Sequence, residues 1–152
     1  MHRFFTATPL GESWGIALIR IITGALLVFH GWECFDATKM TMYTSWFTDR
    51  QYANPAAWAY AGKIAELLAG IGFVLGFLTR VAALGAIAAF AGIIFLLGDK
   101  GKILEGDQHP FLFILLSLVF LFTGPGALSL DGFLFKQKKS GTDHVGQHIG
   151  TY

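Results

Sequence analysis

The sequence predicts an all-α protein, a four-helix transmembrane bundle, and three observations carry that reading. The first is composition: of 152 residues, 54% are hydrophobic, 15% aromatic and only 14% charged, with a mean hydropathy of +0.56, beyond the range of ordinary soluble domains. The second is that the apolar residues fall into four runs, of which residues 57–80 are the plainest, long and apolar enough to cross a bilayer. The third is where the charges lie. Most sit in loops or at the ends of runs, and the exceptions, Arg20, Lys63 and Glu66, accompany small residues at helical spacing.

Residues 1–13 read as an N-terminal interfacial segment, with Phe4 and Phe5, the breakers Pro9 and Gly11, and Glu12-Ser13 as a helix-start signal. No small-residue cleavage site follows, so the first apolar run is expected to remain as a helix. Residues 14–135 form the membrane domain and 136–152 a polar, disordered tail with three lysines and three glycines.

The first span, residues 14–32, has tryptophans at both limits, where amphipathic rings settle at the headgroup level. Arg20, Gly24, Leu27, Gly31 and Cys34 share one of its faces. The connection 33–55 is the longest. Met40, Tyr43 and Phe47 recur in it at helical spacing, so it reads either as a short interfacial helix capping the bundle or as a surface loop with aromatic anchors.

The second span, about 57–78, places Gly62, Glu66, Ala69, Gly70 and Phe73 on one face and carries a Gly72/Gly76 pair. Thr79-Arg80 reads as a tight turn into a third span, 81–98, with a stripe of Ala82, Gly85, Ala89 and Gly92. Residues 99–109 are a polar loop. The fourth span, 110–123, opens on a proline that a first helical turn tolerates and stops at Gly124-Pro125-Gly126, with 128–134 prolonging it or lying at the interface.

Four spans bring both termini to one side of the membrane. Arg3, Arg80, Lys136, Lys138 and Lys139 then face Lys39, Arg50, Lys100 and Lys102, and the positive-inside rule makes the termini cytoplasmic. His30, Glu33, Cys34, Lys63, Glu66, Asp99 and His109 all belong to the opposite, outer half. An ionised group at mid-membrane costs on the order of 2.5–3.5 kcal/mol unless compensated. Glu66 lies roughly 13 Å below the outer boundary and Arg20 roughly 9 Å in from the other leaflet, so an Arg20–Glu66 pair is expected to supply the compensation. That pair reads equally as a register-fixing structural contact and as part of a site. Lys63 can snorkel outward. His30 reads as a proton relay or as a ring bonded to a neighbouring carbonyl, and His109 as a cap or surface residue.

Other classes fall away. A net charge of +1 offers no extended basic face for nucleic acid. The single cysteine, Cys34, permits no internal disulfide or dithiol redox pair; a helix-end residue is the plainer reading, beside a ligand, a nucleophile or an intermolecular bridge. The histidines and carboxylates show no metal-ligand spacing, so no metal and no covalently bound cofactor are predicted.

Three segments carry a resemblance. They are 18–35, with Arg20, Gly24, His30 and Gly31; 66–87, with Glu66, Gly70, Gly76, Thr79 and Arg80; and 109–131, with Gly124-Pro125-Gly126 and Ser129-Leu130-Asp131. Together they resemble the DoxX family of small four-helix bacterial membrane proteins, whose relatives include the small subunit of thiosulfate:quinone oxidoreductase. Where many relatives have a lysine soon after His-Gly, this chain has Trp32, Glu33 and Cys34. The resemblance implies a multi-pass protein of the bacterial inner membrane and an accessory subunit of a quinone-linked redox complex. Its partners would be the lipid bilayer and other subunits or further copies of itself. The implied quinone needs an apolar slot with polar groups at its head end, for which Arg20, His30, Lys63 and Glu66 are the candidates, with an outer cluster of Glu33, Cys34, Asp99 and His109. The alternatives are a stand-alone quinone-linked oxidoreductase and a small-solute permeation protein, because intramembrane charges also mark pathways.

Cytoplasmic termini have a direct test. A cysteine placed in the tail 136–152 should resist an impermeant thiol reagent in intact cells and react after lysis; labelling in intact cells would reverse the orientation.

Overall fold

A computed structural model describes residues 11–98 and 106–135. The described chain is all-helical: α1 Glu12–Gly31, a 3-10 turn Trp32–Phe35, α2 Ala37–Asp49, α3 Pro55–Leu75, α4 Thr79–Gly92 running into a π turn Ile93–Leu97, α5 Gln108–Thr123 and a short α6 Leu130–Leu134. Three segments, Glu12–Phe35, Pro55–Leu75 and Thr79–Leu97, are long and apolar enough to span a membrane, and Gln108–Thr123 is a shorter apolar helix. At about 1.5 Å per residue α5 is roughly 24 Å long, against a hydrocarbon core of about 30 Å. Large apolar side chains such as Leu18, Phe29, Leu68, Val81, Phe95 and Phe122 face outward, the surface expected of a protein solvated by lipid.

The helices alternate in direction. One end of the bundle collects the start of α1, the end of α3, the start of α4 and the chain after α5; the other collects the end of α1, α2, the start of α3 and the start of α5. Between them lies a core of Leu27, Ala69, Phe73, Ala83, Ala86, Phe90, Phe113 and Phe120. Phe90 and Phe113 stack at 4.9 Å, and Phe73 meets Phe120 edge-on at 5.0 Å.

The α1–α3 contact is set by glycine. On α1 the face predicted from spacing is buried, with Arg20, Gly24, Leu27 and Gly31 inside. A Cβ on Gly24 would lie 2.7 Å from the Val74 nitrogen, and one on Gly70 2.6 Å from the Val28 nitrogen, so the two backbones touch. On α3, Glu66, Ala69, Gly70 and Phe73 are buried, while Gly62 has open space around it.

The long connection resolves in favour of the capping helix. Asp36 caps α2, its side chain accepting from the backbone of Thr38 at 2.9 Å and Lys39 at 3.2 Å. Met40 and Phe47 are buried with Cys34 and Ala59, against Tyr43, Tyr52, Leu67 and Leu97. Arg50 then ties the end of this helix to the Leu97 carbonyl.

Three expectations need correction. The second span ends at Leu75 rather than residue 78, and the turn is Gly76-Phe77-Leu78, with Thr79 and Arg80 already in the first turn of α4. Gly76 adopts φ 62° and the Phe77 N–H bonds Gly72 O at 3.0 Å, a Schellman stop that only the positive-φ tolerance of glycine makes cheap. Gly76 therefore ends a helix and does not form a packing pair with Gly72, which alone meets α4, at Ala82. The buried line of α4 is Thr79, Ala83, Ala86 and Phe90, and the stripe of Ala82, Gly85, Ala89 and Gly92 lies half-buried beside it. Both sets have the same spacing, so periodicity alone could not choose between them. The expectations for 1–10 and 136–152 fall outside the described residues.

Adding a methyl at Gly70 should force the α1 and α3 backbones apart, costing about 1–3 kcal/mol, whereas Gly62→Ala should leave stability unchanged. Thermal unfolding of Gly70→Ala and Gly62→Ala in the same detergent checks the contrast.

Candidate functional site

Two polar centres lie at opposite ends of the bundle. At the end that collects the start of α1, Arg20 is fully buried. Its Nε donates to the Pro125 carbonyl at 2.8 Å, one terminal nitrogen to Phe73 O and to Val74 O at 3.4 Å, and the other to Leu128 O at 2.8 Å and Ala127 O at 3.4 Å. Phe73 and Val74 lie in the last turn of α3; the Gly76 N–H already reaches Phe73 O at 3.2 Å, and the guanidinium adds a second donor there and one for Val74 O, a helix-end carbonyl that lipid would leave bare. Gly76 makes room for it: a Cβ there would stand 2.6 Å from the guanidinium. Next to it Asp131 accepts from the backbone of Leu78 at 2.7 Å and Thr79 at 2.8 Å, capping α4 from a distant part of the chain and holding Leu78 in its left-handed conformation, φ 48°.

The other end gathers the titratable groups. The ammonium of Lys63, one turn before Glu66 on α3, stands 3.0 Å from Glu66 Oε2 and 3.2 Å from Glu33 Oε2, and lies 4.5 Å from the centre of the Tyr43 ring. Glu33, in the 3-10 turn after α1, also receives Lys39 at 2.6 Å and the Tyr43 hydroxyl. Glu66 is 2% exposed and Lys39 reaches the surface. On α2, the hydrogen bond to Glu33 raises the pKa of Lys39. Burial, then the same carboxylate, raises that of Tyr43, so at neutral pH Lys39 is a cation and Tyr43 a neutral donor.

His30 sits beside His109, ring centroids 5.3 Å apart, and both rings meet Phe113 edge-on. Lys63, Glu33, Lys39 and His109 all lie within electrostatic range of His30. Against this cluster opens a groove of about 550 Å³, walled by Ala25, Val28, Phe29 and Trp32 and carrying Glu33, Asp36 and Lys39 at its polar end. That volume falls inside the span of small-molecule sites, and so does its mixture of apolar wall and few polar groups.

The expected Arg20–Glu66 pair does not form. Among the described residues no ion pair includes Arg20, and Glu66 is compensated by Lys63. The reason is register. Gly24 of α1 packs against Gly70 and Val74, and Gly31 against Leu67, so Glu66 stands level with the end of α1, about 16 Å along the helix from Arg20, and the lean of each side chain toward its own N-terminus parts them further.

The DoxX family model matches residues 15–99, more than half of the chain. The chain belongs to the DoxX family. It is 29% identical over 127 residues, 84% of its length, to a Bacillus subtilis protein named "Putative oxidoreductase CatD", of which 92% is covered. It is also 29% identical over 128 residues, 80% of its length, to a Haemophilus influenzae protein bearing the name "Uncharacterized protein", of which 92% is covered. No solved structure matches the chain.

The motifs that carry the DoxX resemblance divide between the two ends. Arg20, Gly76, Gly124-Pro125-Gly126 and Asp131 build the carbonyl cage and the α4 cap, while His30, Glu66 and His109 stand at the other end with Lys63 and Glu33. Cys34 is buried among Met40, Phe47 and Ala59, a cluster against which Tyr43 also packs, and makes no ion pair or hydrogen bond with Glu33, while Asp99 lies outside the described residues. Sequence reading missed Lys39 and Tyr43 as partners of Glu33. Their signal was an i, i+4 pair on one face of α2, visible only once 37–49 is taken as a helix.

Separate centres should behave independently. In a cycle of Arg20→Met, Glu66→Gln and the double variant, stability losses should add within about 0.3–0.5 kcal/mol. Arg20→Met should be the costlier, since each acceptor left bare is worth about 1–3 kcal/mol. Arg20→Lys should rescue little, having no planar fork. A strong coupling energy in thermal unfolding would restore the direct pair.

Proposed function

We propose that this DoxX protein is an integral membrane accessory subunit of a quinone-linked redox complex, with the quinone head group held at the Glu33 end. One observation carries the reading: the groove beside Phe29 and Trp32 ends on Glu33, whose carboxylate continues through Lys63 to the buried Glu66. An apolar slot accepts the ring and tail, Lys39 offers a charged donor to a quinone oxygen, and the carboxylates offer places for protons. The matched relative named as an oxidoreductase supports the redox class. Reducing a quinone takes two electrons; on this reading a partner protein supplies them, since the lone Cys34 offers no dithiol within the chain. The packed aromatic core between the two polar ends speaks against a permeation path. On this reading the protein is a multi-pass component of the bacterial cytoplasmic membrane with its termini inside.

Purification from native membranes in mild detergent tests the reading, with bound quinone extracted and co-purifying chains identified. Quinone near one per chain together with an oxidoreductase subunit is the expected result. Val28→Trp, which fills the groove, should lower quinone content at least tenfold without loss of fold. A bare homo-oligomer free of quinone would overturn the proposal.

A further inference from the structure

The end of the bundle that Arg20 closes carries a second cation, and this one faces outward. Arg80, in the first turn of α4, is exposed and enters no ion pair among the described residues. Beside it opens a hollow of about 380 Å³, with Leu78, Val81, Pro125 and Phe135 as apolar walls and the fully buried Thr79 at its base. The guanidinium lies against Gly124, where α5 stops: a Cβ there would stand 3.9 Å from a terminal nitrogen of Arg80. The span formed by this helix runs from Thr79 to Leu97, so Arg80 stands at its boundary, the headgroup level of the membrane.

The hollow has donors and lacks acceptors. The first-turn N–H groups of Arg80 and Val81 have no helical partners, and the Thr79 hydroxyl has no hydrogen-bond partner among the described residues. One carboxylate, Asp131, lines the hollow, but both of its oxygens accept backbone N–H groups, from Leu78 at 2.7 Å and Thr79 at 2.8 Å, and the buried Arg20 lies within electrostatic range of it. Arg20 and Asp131 offset each other and leave the charge of Arg80 over. The terminal stretches of the chain do not supply the missing anion. Residues 1–10 contain no acid, and 136–152 open with Lys136, Lys138 and Lys139 and hold a single acid, Asp143. Those lysines follow Phe135, a wall of the hollow, directly in the chain, so they add to the positive charge at this end.

We infer that this hollow binds an anionic phospholipid, with its phosphate on the Arg80 guanidinium at the start of α4 and an acyl chain along the outer face of that helix. A guanidinium fork matches two phosphate oxygens, and the helix start adds partial positive charge. Val81, Leu84 and Ala88, exposed one above the other at helical spacing, form the apolar track that leads from the hollow into the bilayer. The bound lipid bridges α4 and the chain after α5. It needs no quinone and no particular orientation of the protein, only the leaflet at this end.

Native mass spectrometry of the full chain in mild detergent, titrated with dioleoylphosphatidylglycerol or dioleoylphosphatidylcholine, tests the site. The wild-type protein should hold one phosphatidylglycerol about tenfold more tightly than phosphatidylcholine, the effect of one charge-assisted contact. Arg80→Gln should remove the preference and Arg80→Lys should keep part of it. Should Arg80→Gln not fold, Val81→Glu carries the test, since the start of a helix accommodates an acid and a carboxylate on the wall should abolish the preference. Arg50→Gln, which removes an exposed cation at the other end, should match the wild type. Equal retention of the two lipids by the wild type, a preference that survives Arg80→Gln and Val81→Glu, or equal losses in Arg80→Gln and Arg50→Gln would each overturn the site. Displacement of phosphatidylglycerol by inorganic phosphate at equal concentration would assign the hollow to a free anion and overturn the lipid assignment.

Discussion

A guanidinium that cannot reach water must find acceptors inside the protein, and the whole closed end of this bundle follows from where Arg20 finds them. Its five partners are all carbonyls, two at the end of α3 and three in the chain after α5. The same carbonyls face a converse difficulty, since a helix end in lipid has no solvent to bond. One side chain resolves both. The geometry also dictates its neighbours: glycine at 76, because any Cβ would collide with the guanidinium, and a chain reversal at 124–126 that turns the later carbonyls inward.

The two ends of the molecule thus divide their tasks. Arg20 is held by neutral acceptors in fixed backbone, an arrangement with no titrating partner in direct contact. The Glu33–Lys63–Glu66 set brings titratable side chains together from two elements, the turn after α1 and α3, with Lys39 and Tyr43 joining from α2 and Glu33 open to a groove. The packed phenylalanines between the ends keep these environments apart.

Most of the architecture was legible because burial in a membrane bundle leaves a strong imprint on residue size. In the line Arg20, Gly24, Leu27, Gly31 the two glycines are required because nothing larger fits against Gly70, Val74 and Leu67 of α3, and that line can be read from spacing alone. Helix register was not legible by the same means. Depth counted from the ends of the apolar runs placed Arg20 and Glu66 within reach of each other, but the α1–α3 glycine contacts set Glu66 level with the end of α1, and the lean of helical side chains separates the two further. Lys63, read both as able to snorkel outward and as a site candidate, is the compensating charge for Glu66 one turn along the same helix, and Glu33 arrives opposite it from the turn after α1. That arrival depends on α2 folding back over α3, and the segment 33–55 is polar enough to read as loop. The α4 register failed for a simpler reason: in a helix made almost wholly of alanine, glycine and apolar residues, size contrast between faces is small.

The cap that Asp131 places on α4 has a consequence for how the protein is made. The first three spans are synthesised before residues 124–131 exist, so until that segment is made and docked α4 begins with bare backbone donors and Arg20 has only the end of α3 to bond. The bundle is sealed last, by contacts spanning more than 100 residues. Until the final segment docks, the nascent hairpin is an unfinished intermediate with exposed polar atoms at one membrane face, a natural target for insertases and quality-control proteases that survey unassembled helices.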